Sequence, residues 1–212
     1  MSCMNKKGVF VTFEGIDGSG KTIQSKLLFE YLVNRNVDAI LTREPGGTDG
    51  AEQIRELLLK GKVDKWHQTT EALLYLAARA EHWERKIKPA LDNGKVVICD
   101  RFQDSSVVYQ SICKGVDIEL LDCVYKSITN NKQPDMTFLI DIEPEVGIKR
   151  SFSRENNETR FEHMNLNFHK KARESFLKLS ESNTRFCAIN GSLSIEQIHE
   201  IITKKFDMMF AV

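Results

Sequence analysis

The segment that most constrains this chain is Gly15-Ile16-Asp17-Gly18-Ser19-Gly20-Lys21-Thr22, which fits the pattern G-x-x-x-x-G-K-[ST]. Residues 9–13, Val-Phe-Val-Thr-Phe, are β-branched or aromatic and predict a buried strand just before it. The residues after it follow a helical pattern, with Leu27, Leu28, Tyr31 and Leu32 on one face. Strand, Gly-rich loop and helix in this order predict a phosphate-binding loop.

Each residue type in this loop has a physical reason to be there. Glycines let the backbone approach a polyphosphate closely, and successive N–H groups together with the positive end of the helix attract the anion. Lys21 is expected to reach the β- and γ-phosphates, and the Thr22 hydroxyl is expected to bind Mg²⁺. The segment therefore predicts binding of a nucleoside triphosphate, and a Gly-rich turn with no ligand is the competing interpretation.

Strand and helix patterns alternate along the whole chain, which predicts an α/β fold with a five-stranded, mostly parallel sheet and helices on both faces. This is the three-layer sandwich of P-loop NTPases. The predicted strands are 9–14, 38–42, 95–99, 136–141 and 185–189. The predicted helices are 20–35, 48–60, 68–92, 103–113, 117–130, 144–153, 163–181 and 194–208.

Residues 1–212 are expected to form a single domain. The polar stretch 153–160 is a candidate mobile loop, so a lid is predicted at about 150–161. Pro89 lies inside the helical pattern 68–92 and is expected to kink or restart that helix. The same pattern predicts Leu73, Leu74, Leu76 and Ala77 as core residues.

Composition limits the classes of partner. Thirty basic residues balance thirty acidic ones, so bulk charge gives no argument for nucleic acid or a membrane surface. The five cysteines are scattered without Cys-x-x-Cys spacing, which favours reduced thiols over a metal site or a disulfide framework. No signal core or membrane-length apolar run is found, so a cytoplasmic location is expected.

Charged residues follow two further strands. Asp100 and Arg101 end one of them, and an acid at this place near a phosphate loop is the expected partner of Mg²⁺. Arg43 ends another strand. Because ligands of open α/β sheets bind at the carboxyl ends of strands, Arg43 and Arg101 are expected to converge on one site. Taken alone, each arginine would more simply be a solvated charge.

Two arginine-containing patterns remain. Arg150 and Arg154 are one helical turn apart, and Arg160 follows across the polar stretch, which suits a lid that closes over phosphates. A solvated charged stretch is the competing interpretation. On helix 68–92, Tyr75 and Arg79 are also one turn apart and could stack on and hydrogen-bond to a flat heterocycle. A partly buried tyrosine beside a surface charge is the more common outcome of that spacing.

Residues 131–135, Asn-Lys-Gln-Pro-Asp, imitate the guanine-reading Asn-Lys-x-Asp motif of GTPases. The imitation has one residue too many and precedes a predicted strand, where the GTPase motif should follow one. No Asp-x-x-Gly follows the strand 95–99. The sequence therefore argues against a GTPase.

Over nearly its whole length the chain resembles the bacterial thymidylate kinase family. The residues that carry the resemblance are 13–22, 42–48 (Thr-Arg-Glu-Pro-Gly-Gly-Thr), 76–79 (Leu-Ala-Ala-Arg), Asp100-Arg101-Phe102, Ser105-Ser106, Tyr109-Gln110 and 132–135. The resemblance implies Mg²⁺-dependent transfer of a phosphoryl group from ATP to dTMP, giving dTDP for dTTP synthesis. It also implies a homodimer formed through helices beside the sheet. From the balanced charge, no nucleic-acid or membrane partner is expected.

The resemblance also implies roles for single residues. Asp17 helps to position the nucleotide sugar and its partner arginine, and Arg43 and Arg101 hold the dTMP phosphate. Tyr75 stacks on thymine and Arg79 bonds its edge. Ser106, Tyr109 and Gln110 line the base and sugar pocket. The phosphate loop contains no arginine, which resembles the subtype whose catalytic arginines lie in the lid, here Arg150, Arg154 and Arg160.

The chain departs from the family pattern at Ile23 and Phe102, where the family usually has Thr and often Tyr. It also departs at Ser111 and Lys114, where the family commonly reads Gly-x-x-Arg-Gly from the residue after Gln110. These departures bear on affinity for the monophosphate. Two alternatives remain. One is another small nucleoside or nucleotide kinase, and the other is a P-loop regulatory ATPase that transfers phosphate to no nucleotide acceptor.

Overall fold

The computed structural model of the chain describes residues 8–62, 64–152 and 164–210. Over those residues five strands form one sheet in the order β2-β3-β1-β4-β5, and every neighbouring pair is parallel. The strands are β1 (Val9–Glu14), β2 (Ala39–Arg43), β3 (Val96–Asp100), β4 (Met136–Asp141) and β5 (Phe186–Asn190). The predicted α/β class and five-stranded parallel sheet are confirmed, and each strand lies within one residue of its predicted range.

Helices connect the strands. The α-helices are α1 (Lys21–Asn34), α2 (Asp49–Leu59), α3 (Gln68–His82), α4 (Lys88–Asp92), α5 (Gln103–Ser106), α6 (Ile118–Thr129), α7 (Pro144–Phe152), α8 (Leu166–Ser182) and α9 (Ile195–Phe210), and π-helical segments lie at Trp83–Ile87 and Val107–Cys113. None of the helices within the described residues is long and apolar enough to cross a membrane.

The helices pack on both faces of the sheet. On one face, Leu28 and Leu32 of α1 and Ile202 and Phe206 of α9 pack against the sheet and are fully buried. The other face carries an aromatic cluster in which Phe102 lies 4.8 Å from Phe10, measured between ring centroids. Burial on both faces explains why the strands have continuous apolar runs rather than alternating ones.

Helical periodicity alone did not identify two irregular segments. The predicted helix 68–92 consists of α3, a π-helical segment and α4, and Pro89 lies in the first turn of α4. The regular α-helical pattern is therefore interrupted just before Pro89, while the backbone stays helical from α3 into α4. The predicted helix 103–113 is only four residues of α5 followed by a π-helical segment, which has a period that the 3.6-residue pattern does not reveal.

The core predicted for α3 is wrong at two positions. Leu76 is buried, but Leu73 is 46% exposed and Ala77 is also exposed. These two residues are four apart and therefore share a helix face, and that face is turned away from the buried contacts of Ala72 and Leu76 with α6. Leu73, Leu74, Leu76 and Ala77 span about 160° of the helix, and only the Leu76 side of that arc is covered by α6.

The carboxyl ends of the central strands meet at one edge of the sheet. Asp100 of β3 pairs in register with Phe13 of β1 on one side and with Arg43 of β2 on the other. The chain runs from β1 out to β2, returns to β3, and then passes to β4 on the far side of β1. The edge next to β1 is therefore the crevice in which open α/β sheets bind ligands.

Candidate active site

The loop between β1 and α1 has a backbone that only glycine adopts readily at three positions, Gly15, Gly18 and Gly20. Gly15 and Gly18 have φ values of +136° and +73°. A Cβ at Gly15 would lie 2.5 Å from the carbonyl oxygen of Ile140, and one at Gly18 would lie 2.0 Å from that of Gly147. Gly18 therefore packs directly against α7, and this contact fixes the loop against the helix that leads to residues 153–163.

Lys21 is buried within the loop. Its Nζ donates hydrogen bonds to the Ile16 carbonyl oxygen at 2.8 Å and to Ser19 Oγ at 3.3 Å. Burial, with a further contribution from the nearby charge of Arg101, lowers the pKa of Lys21 to about 8. A bound polyanion would compensate that burial, since an opposite charge favours the protonated amine.

A hydroxyl and a carboxylate meet at the start of α1. Thr22 Oγ1 donates to Asp100 Oδ2 at 2.5 Å, while the buried Asp100 Oδ1 has no hydrogen-bond partner in the described part of the chain. Hard oxygen ligands of this kind suit Mg²⁺, which usually keeps several waters and binds substrate phosphates. The residues present therefore fit a magnesium ion. No group of three or more His, Cys, Asp or Glu side chains that could hold a metal is found among the described residues.

Arg101 links the phosphate loop to the rest of the site. It follows β3 with φ +69°, a left-handed conformation that costs a residue with a side chain about 1–3 kcal/mol. Its guanidinium donates to Asp17 Oδ1 at 2.6 Å, to the Gly15 carbonyl oxygen at 3.1 Å and to Ser105 Oγ at 3.0 Å, and it lies 5.3 Å from the ring centroid of Tyr109. These contacts hold the strained residue in place.

The charges around Arg101 are coupled. Burial disfavours the charged form of Arg101, but the nearby Tyr109, Asp17, Asp100 and Glu14 outweigh burial and raise the pKa of Arg101. Burial would likewise raise the pKa of Asp17, yet Arg101 and Lys21 lower it overall. An ion pair between Arg101 and Asp17 therefore stands at the border between the loop and the adjoining cavity.

At the other end of the site, Arg79 is almost completely buried. Its guanidinium donates to Glu44 Oε2 at 2.7 Å, to Gln103 Oε1 at 2.6 Å and to Ser106 Oγ at 3.0 Å. His82 Nδ1 lies 3.2 Å from Glu44 Oε1. The common interpretation of Arg79 as a surface charge is therefore wrong, because the arginine is held in a hydrogen-bonded network that fixes its plane.

A cavity of about 540 Å³ joins these features. It runs from the phosphate loop, past Arg101, to Tyr75 and Arg79. The predicted site residues that line it are Asp17, Gly18, Gly20, Lys21, Thr22, Arg43, Tyr75, Arg79, Asp100, Arg101, Ser106, Tyr109 and Gln110. Arg43, the last residue of β2, and Arg101, which follows β3, do come together here.

Arg43 is nevertheless engaged elsewhere. Its Nη2 donates to Glu52 Oε1 and Oε2 at 3.1 and 3.0 Å, and Glu52 Oε1 also accepts from the backbone N–H of Gly47 at 2.8 Å. The Arg43 side chain is half exposed. An exposed ion pair of this kind contributes little energy, so Arg43 can exchange Glu52 for a ligand anion at small cost.

Several predicted residues do not line the cavity. Gly15, Ile16 and Ser19 shape the loop from behind, where Ile16 is buried against Leu139 and Ile142. Arg150 lies on α7, and its Nη1 donates to the Gly191 carbonyl oxygen at 3.3 Å. Arg154, Arg160 and most of the proposed lid lie outside the described residues.

Sequence reasoning missed some cavity residues. Arg55 of α2 lines the cavity, and its Nη1 donates to the Pro45 carbonyl oxygen at 2.6 Å. It shares a helix face with the buried Ala51 and Leu58, at spacings of four and three residues. That spacing could have identified Arg55 as a candidate site residue from the sequence. Glu44 also lines the cavity, and only its partners Arg79 and His82, distant in sequence, reveal why a buried carboxylate is tolerated there.

The segment that imitates a GTPase motif lies at the wrong edge of the sheet. Asp135 precedes β4, and its Oδ2 accepts from the Phe10 N–H at 2.8 Å while its Oδ1 accepts from Lys132 Nζ at 2.8 Å. These residues sit at the amino ends of the parallel strands, opposite the phosphate loop. They form a connection into β4 and not a base-reading site beside the loop.

The parallel sheet, the phosphate loop after β1 and the acid ending β3 define a P-loop NTPase. The thymidylate kinase family model matches residues 13–202. The chain belongs to the thymidylate kinase family.

Individual thymidylate kinases are similar to the chain over most of its length. The chain is similar to thymidylate kinase from Ruegeria pomeroyi, with 44% identity over 202 residues covering 95% of each chain. It is 45% identical over 186 residues to thymidylate kinase from Dinoroseobacter shibae, covering 88% of this chain and 89% of that one. The crystal structure of thymidylate kinase from Ehrlichia chaffeensis matches with a TM-score of 0.76 and 35% identity, covering 94% of this chain and 98% of that one.

Proposed function

We infer that the protein transfers the γ-phosphoryl group of ATP to the phosphate of dTMP, giving dTDP and ADP. The observation that carries this inference is the single cavity with a phosphate loop at one end and the Tyr75 and Arg79 side chains at the other. Arg101 lies between the two ends. Such an arrangement suits two phosphate-bearing substrates that meet at Arg101, and family membership supports dTMP as the acceptor.

The donor end is proposed to bind ATP. The loop Gly15–Thr22 would hold its phosphates, with Lys21 on the β- and γ-phosphates. Mg²⁺ would be held by Thr22 and Asp100, which the unpartnered Asp100 Oδ1 supports. When bound, the ion neutralises charge that develops on the phosphate oxygens.

The acceptor end is proposed to bind dTMP. Arg43 and Arg101 would hold its phosphate, and Asp17, already paired with Arg101, would lie next to the sugar. Tyr75 would stack on thymine, Arg79 would bond the base edge, and Ser106, Tyr109 and Gln110 would line the pocket for base and sugar. The fixed plane of the buried Arg79 supports its assignment to edge recognition.

The reaction needs charge compensation more than it needs a general base. The phosphate monoester of the acceptor has a second pKa of about 6 and is largely ionised near neutral pH. The enzyme must instead overcome repulsion between two polyanions and hold them in line. Lys21 and Arg101 both line the cavity in which the two substrates would meet. Lys21 is buried and the Arg101 side chain is 17% exposed, so their charges act at a lower dielectric than in water.

A lid at about 150–161 within the single domain 1–212 is proposed to complete the site with Arg150, Arg154 and Arg160. The close packing of Gly18 on Gly147 supports this, because it anchors α7 on the phosphate loop just before those residues. In phosphoryl transfer an arginine of this type is worth about 10³ or more in rate. Closure would also exclude water as a competing acceptor.

A homodimer is proposed from family resemblance and from exposed apolar side chains on neighbouring helices. Leu57 of α2, Leu73 of α3 and Ile118 of α6 are 45%, 46% and 39% exposed.

A cytoplasmic location is proposed on the same resemblance and on the cysteines, since Cys99, Cys113, Cys123 and Cys187 are free thiols. Neither nucleic acid nor a membrane is proposed as a partner.

An acceptor screen tests the proposed reaction. Purified protein is given ATP and Mg²⁺ with dTMP, dUMP, dCMP, AMP, GMP or thymidine, and ADP formation is measured. We expect dTMP to be phosphorylated much faster than AMP, GMP or dCMP and faster than thymidine, and turnover to stop when EDTA removes divalent cations. A better rate with AMP or thymidine would overturn the assignment, and acceptor-independent ATP hydrolysis would indicate a regulatory ATPase.

A further inference from the structure

We propose that Glu71, a buried residue of α3 that does not itself line the cavity, is a positioning residue that fixes the orientation of the Gln110 amide and so selects acceptor bases with a ring N–H. The proposal rests on the proposed function, because it concerns the base end of the same cavity. Its physical basis is a cluster of Glu71, Gln110 and Lys114.

The cluster brings two elements together. Glu71 lies in the first turn of α3 and is 1% exposed. Its Oε1 accepts hydrogen bonds from Gln110 Nε2 at 3.3 Å and from Lys114 Nζ at 2.6 Å. Gln110 belongs to the π-helical segment Val107–Cys113, is 2% exposed and lines the cavity. A side chain behind the cavity wall therefore holds a side chain that forms the wall.

The carboxylate determines which end of the amide faces it. An ionised carboxylate can only accept hydrogen bonds, whereas a primary amide has a donor end and an acceptor end. The Nε2 end of Gln110 must therefore point to Glu71, and the Oε1 end is left for a ligand. No hydrogen bond to Gln110 Oε1 is found from any of the described residues.

The Oε1 end of the Gln110 amide determines which bases can pair with it. A carbonyl oxygen accepts a hydrogen bond from the ring N3–H of thymine or uracil. The corresponding nitrogen of cytosine carries no hydrogen, so two acceptors would face each other and both would remain unpaired. Sites built to pair with a donor reject a ligand that lacks it, because buried polar groups are left unsatisfied.

Lys114 keeps this arrangement in place. The Lys114 side chain is 13% exposed and forms a short ion pair with Glu71, which offsets the cost of burying the carboxylate. Without a cation nearby, a buried carboxylate is left uncompensated, so loss of the Lys114 charge would disturb the contact that holds Gln110. The chain has lysine here where the family pattern has arginine, and the positive charge beside Glu71 is retained.

The test compares selectivity in single and double variants. Glu71→Gln replaces an obligatory acceptor by an amide that can also donate, so the Gln110 amide is free to turn. We expect the ratio of kcat/KM for dTMP to that for dCMP to fall about tenfold through a higher KM for dTMP. The kcat with dTMP and the KM for ATP should stay within about twofold of wild type. Lys114→Arg, which keeps the cation, should retain the ratio.

A double-mutant cycle separates positioning from general damage. If Glu71 acts through Gln110, Glu71→Gln should change the selectivity ratio by less than about twofold in a Gln110→Ala background. An unchanged ratio in folded Glu71→Gln, or an equal tenfold fall in the Gln110→Ala background, would overturn the proposal. Should Glu71→Gln not fold by circular dichroism, Lys114→Met is expected to lower the ratio in the same direction, and an unchanged ratio there would overturn it instead.

Wild-type activity in the same assay separates this proposal from the proposed function. If wild type does not use dTMP, the assigned reaction is wrong and the proposal falls with it. If wild type uses dTMP with high selectivity but the variants keep that selectivity, only the role of Glu71 is wrong.

Discussion

At the scale of single residues, Tyr75 offers the most direct test of the base end of the cavity. It is half-buried, lines the cavity and lies one helical turn from Arg79. Stacking of a base on an aromatic side chain contributes about 1–3 kcal/mol. We therefore expect Tyr75→Ala to raise the KM for dTMP about tenfold or more, while the KM for ATP changes little.

Steady-state kinetics with each substrate varied in turn would measure the effect, and Tyr75→Phe, which retains the aromatic ring, serves as the matched control. A similar rise in both KM values, or loss of the folded circular dichroism spectrum, would show that Tyr75 supports the fold and not the base.

Glu14, also at the residue scale, gives a prediction for the pH dependence of stability. Burial, together with the charge of Asp104, raises the pKa of this fully buried carboxyl to about 7 from an ordinary value of 4.5. Ser105 Oγ and the Phe102 N–H donate to it at 2.6 and 2.8 Å and oppose the shift. Because the folded state favours the protonated form, folding takes up a proton between these pH values.

Stability should therefore fall as pH rises from about 4.5 to 7, by up to about 1.4 kcal/mol per pH unit for this one group. Glu14→Gln removes the titrating proton, so its free energy of unfolding should decline less steeply over that range. Urea unfolding at several pH values would measure the difference between the two proteins. Glu56→Gln on the exposed side of α2 is the control, and identical slopes for wild type and Glu14→Gln would contradict the prediction.

At the scale of elements, α7 connects the phosphate loop to the proposed lid. Gly147 packs on Asp17 and Gly18 through backbone contacts, and Arg150 and Arg154 follow at three and seven residues along the chain. The phosphate loop has no arginine of its own. We predict that Arg154→Ala lowers kcat by orders of magnitude with little change in the KM for dTMP, as expected for an interaction made mainly in the transition state.

Arg154→Lys should recover little activity, because an ammonium group cannot reproduce the guanidinium fork. Steady-state kinetics of the alanine variants at Arg150, Arg154 and Arg160 would compare the three arginines. If Arg154→Ala keeps more than about a tenth of wild-type kcat, a loss of about 1.4 kcal/mol or less, Arg154 does not have this role.

The elements also show which features the sequence could predict. Strands such as Val96–Asp100 are short, apolar runs bounded by turn residues. Their positions, and the edge of the sheet at which the site lies, could therefore be predicted from the sequence. The π-helical segment Val107–Cys113 could not be predicted, because its geometry depends on packing against α8 and α6 rather than on local propensity. Its consequence, the approach of Gln110 and Lys114 to Glu71, was hidden for the same reason.

Some site residues could likewise be predicted from the sequence, and others could not. The positions of Lys21, Thr22 and Asp100 at the site could be predicted because a local pattern marks each one, the phosphate-loop motif for the first two and the end of an apolar strand for Asp100. The burial of Arg79 could not be read from its helix, since it depends on Glu44 and Gln103, which lie 35 and 24 residues away. Local sequence gives the type of group that a site needs, whereas long-range pairing decides which buried charge is satisfied.

At the scale of the whole molecule, the strand order explains how remote segments form one site. The chain places β2 and β3 on one side of β1 and β4 and β5 on the other, so residues following β1, β2 and β3 meet at one edge. Helix α3 then crosses near that edge and adds Tyr75 and Arg79. Its opposite face carries Leu73 and Ala77, which stay exposed in the single chain.

That exposed face makes the assembly testable. If the protein is a homodimer through helices beside the sheet, Leu57 of α2 and Leu73 of α3, 45% and 46% exposed in one chain, would be covered by the partner. A charge buried at such an interface without a counter-charge costs several kcal/mol. We therefore predict that wild type sediments with the mass of two chains and that Leu73→Glu sediments as a monomer at micromolar concentrations.

Sedimentation equilibrium over a range of protein concentrations would measure both masses. Met208→Glu is the matched control, because Met208 lies on α9, away from α2 and α3 in the fold, and is 82% exposed. It introduces the same charge at an apolar surface residue and should leave the dimer intact. A wild-type monomer would rule out the dimer, whereas dissociation by Met208→Glu with a stable Leu73→Glu dimer would move the interface from α3 to α9.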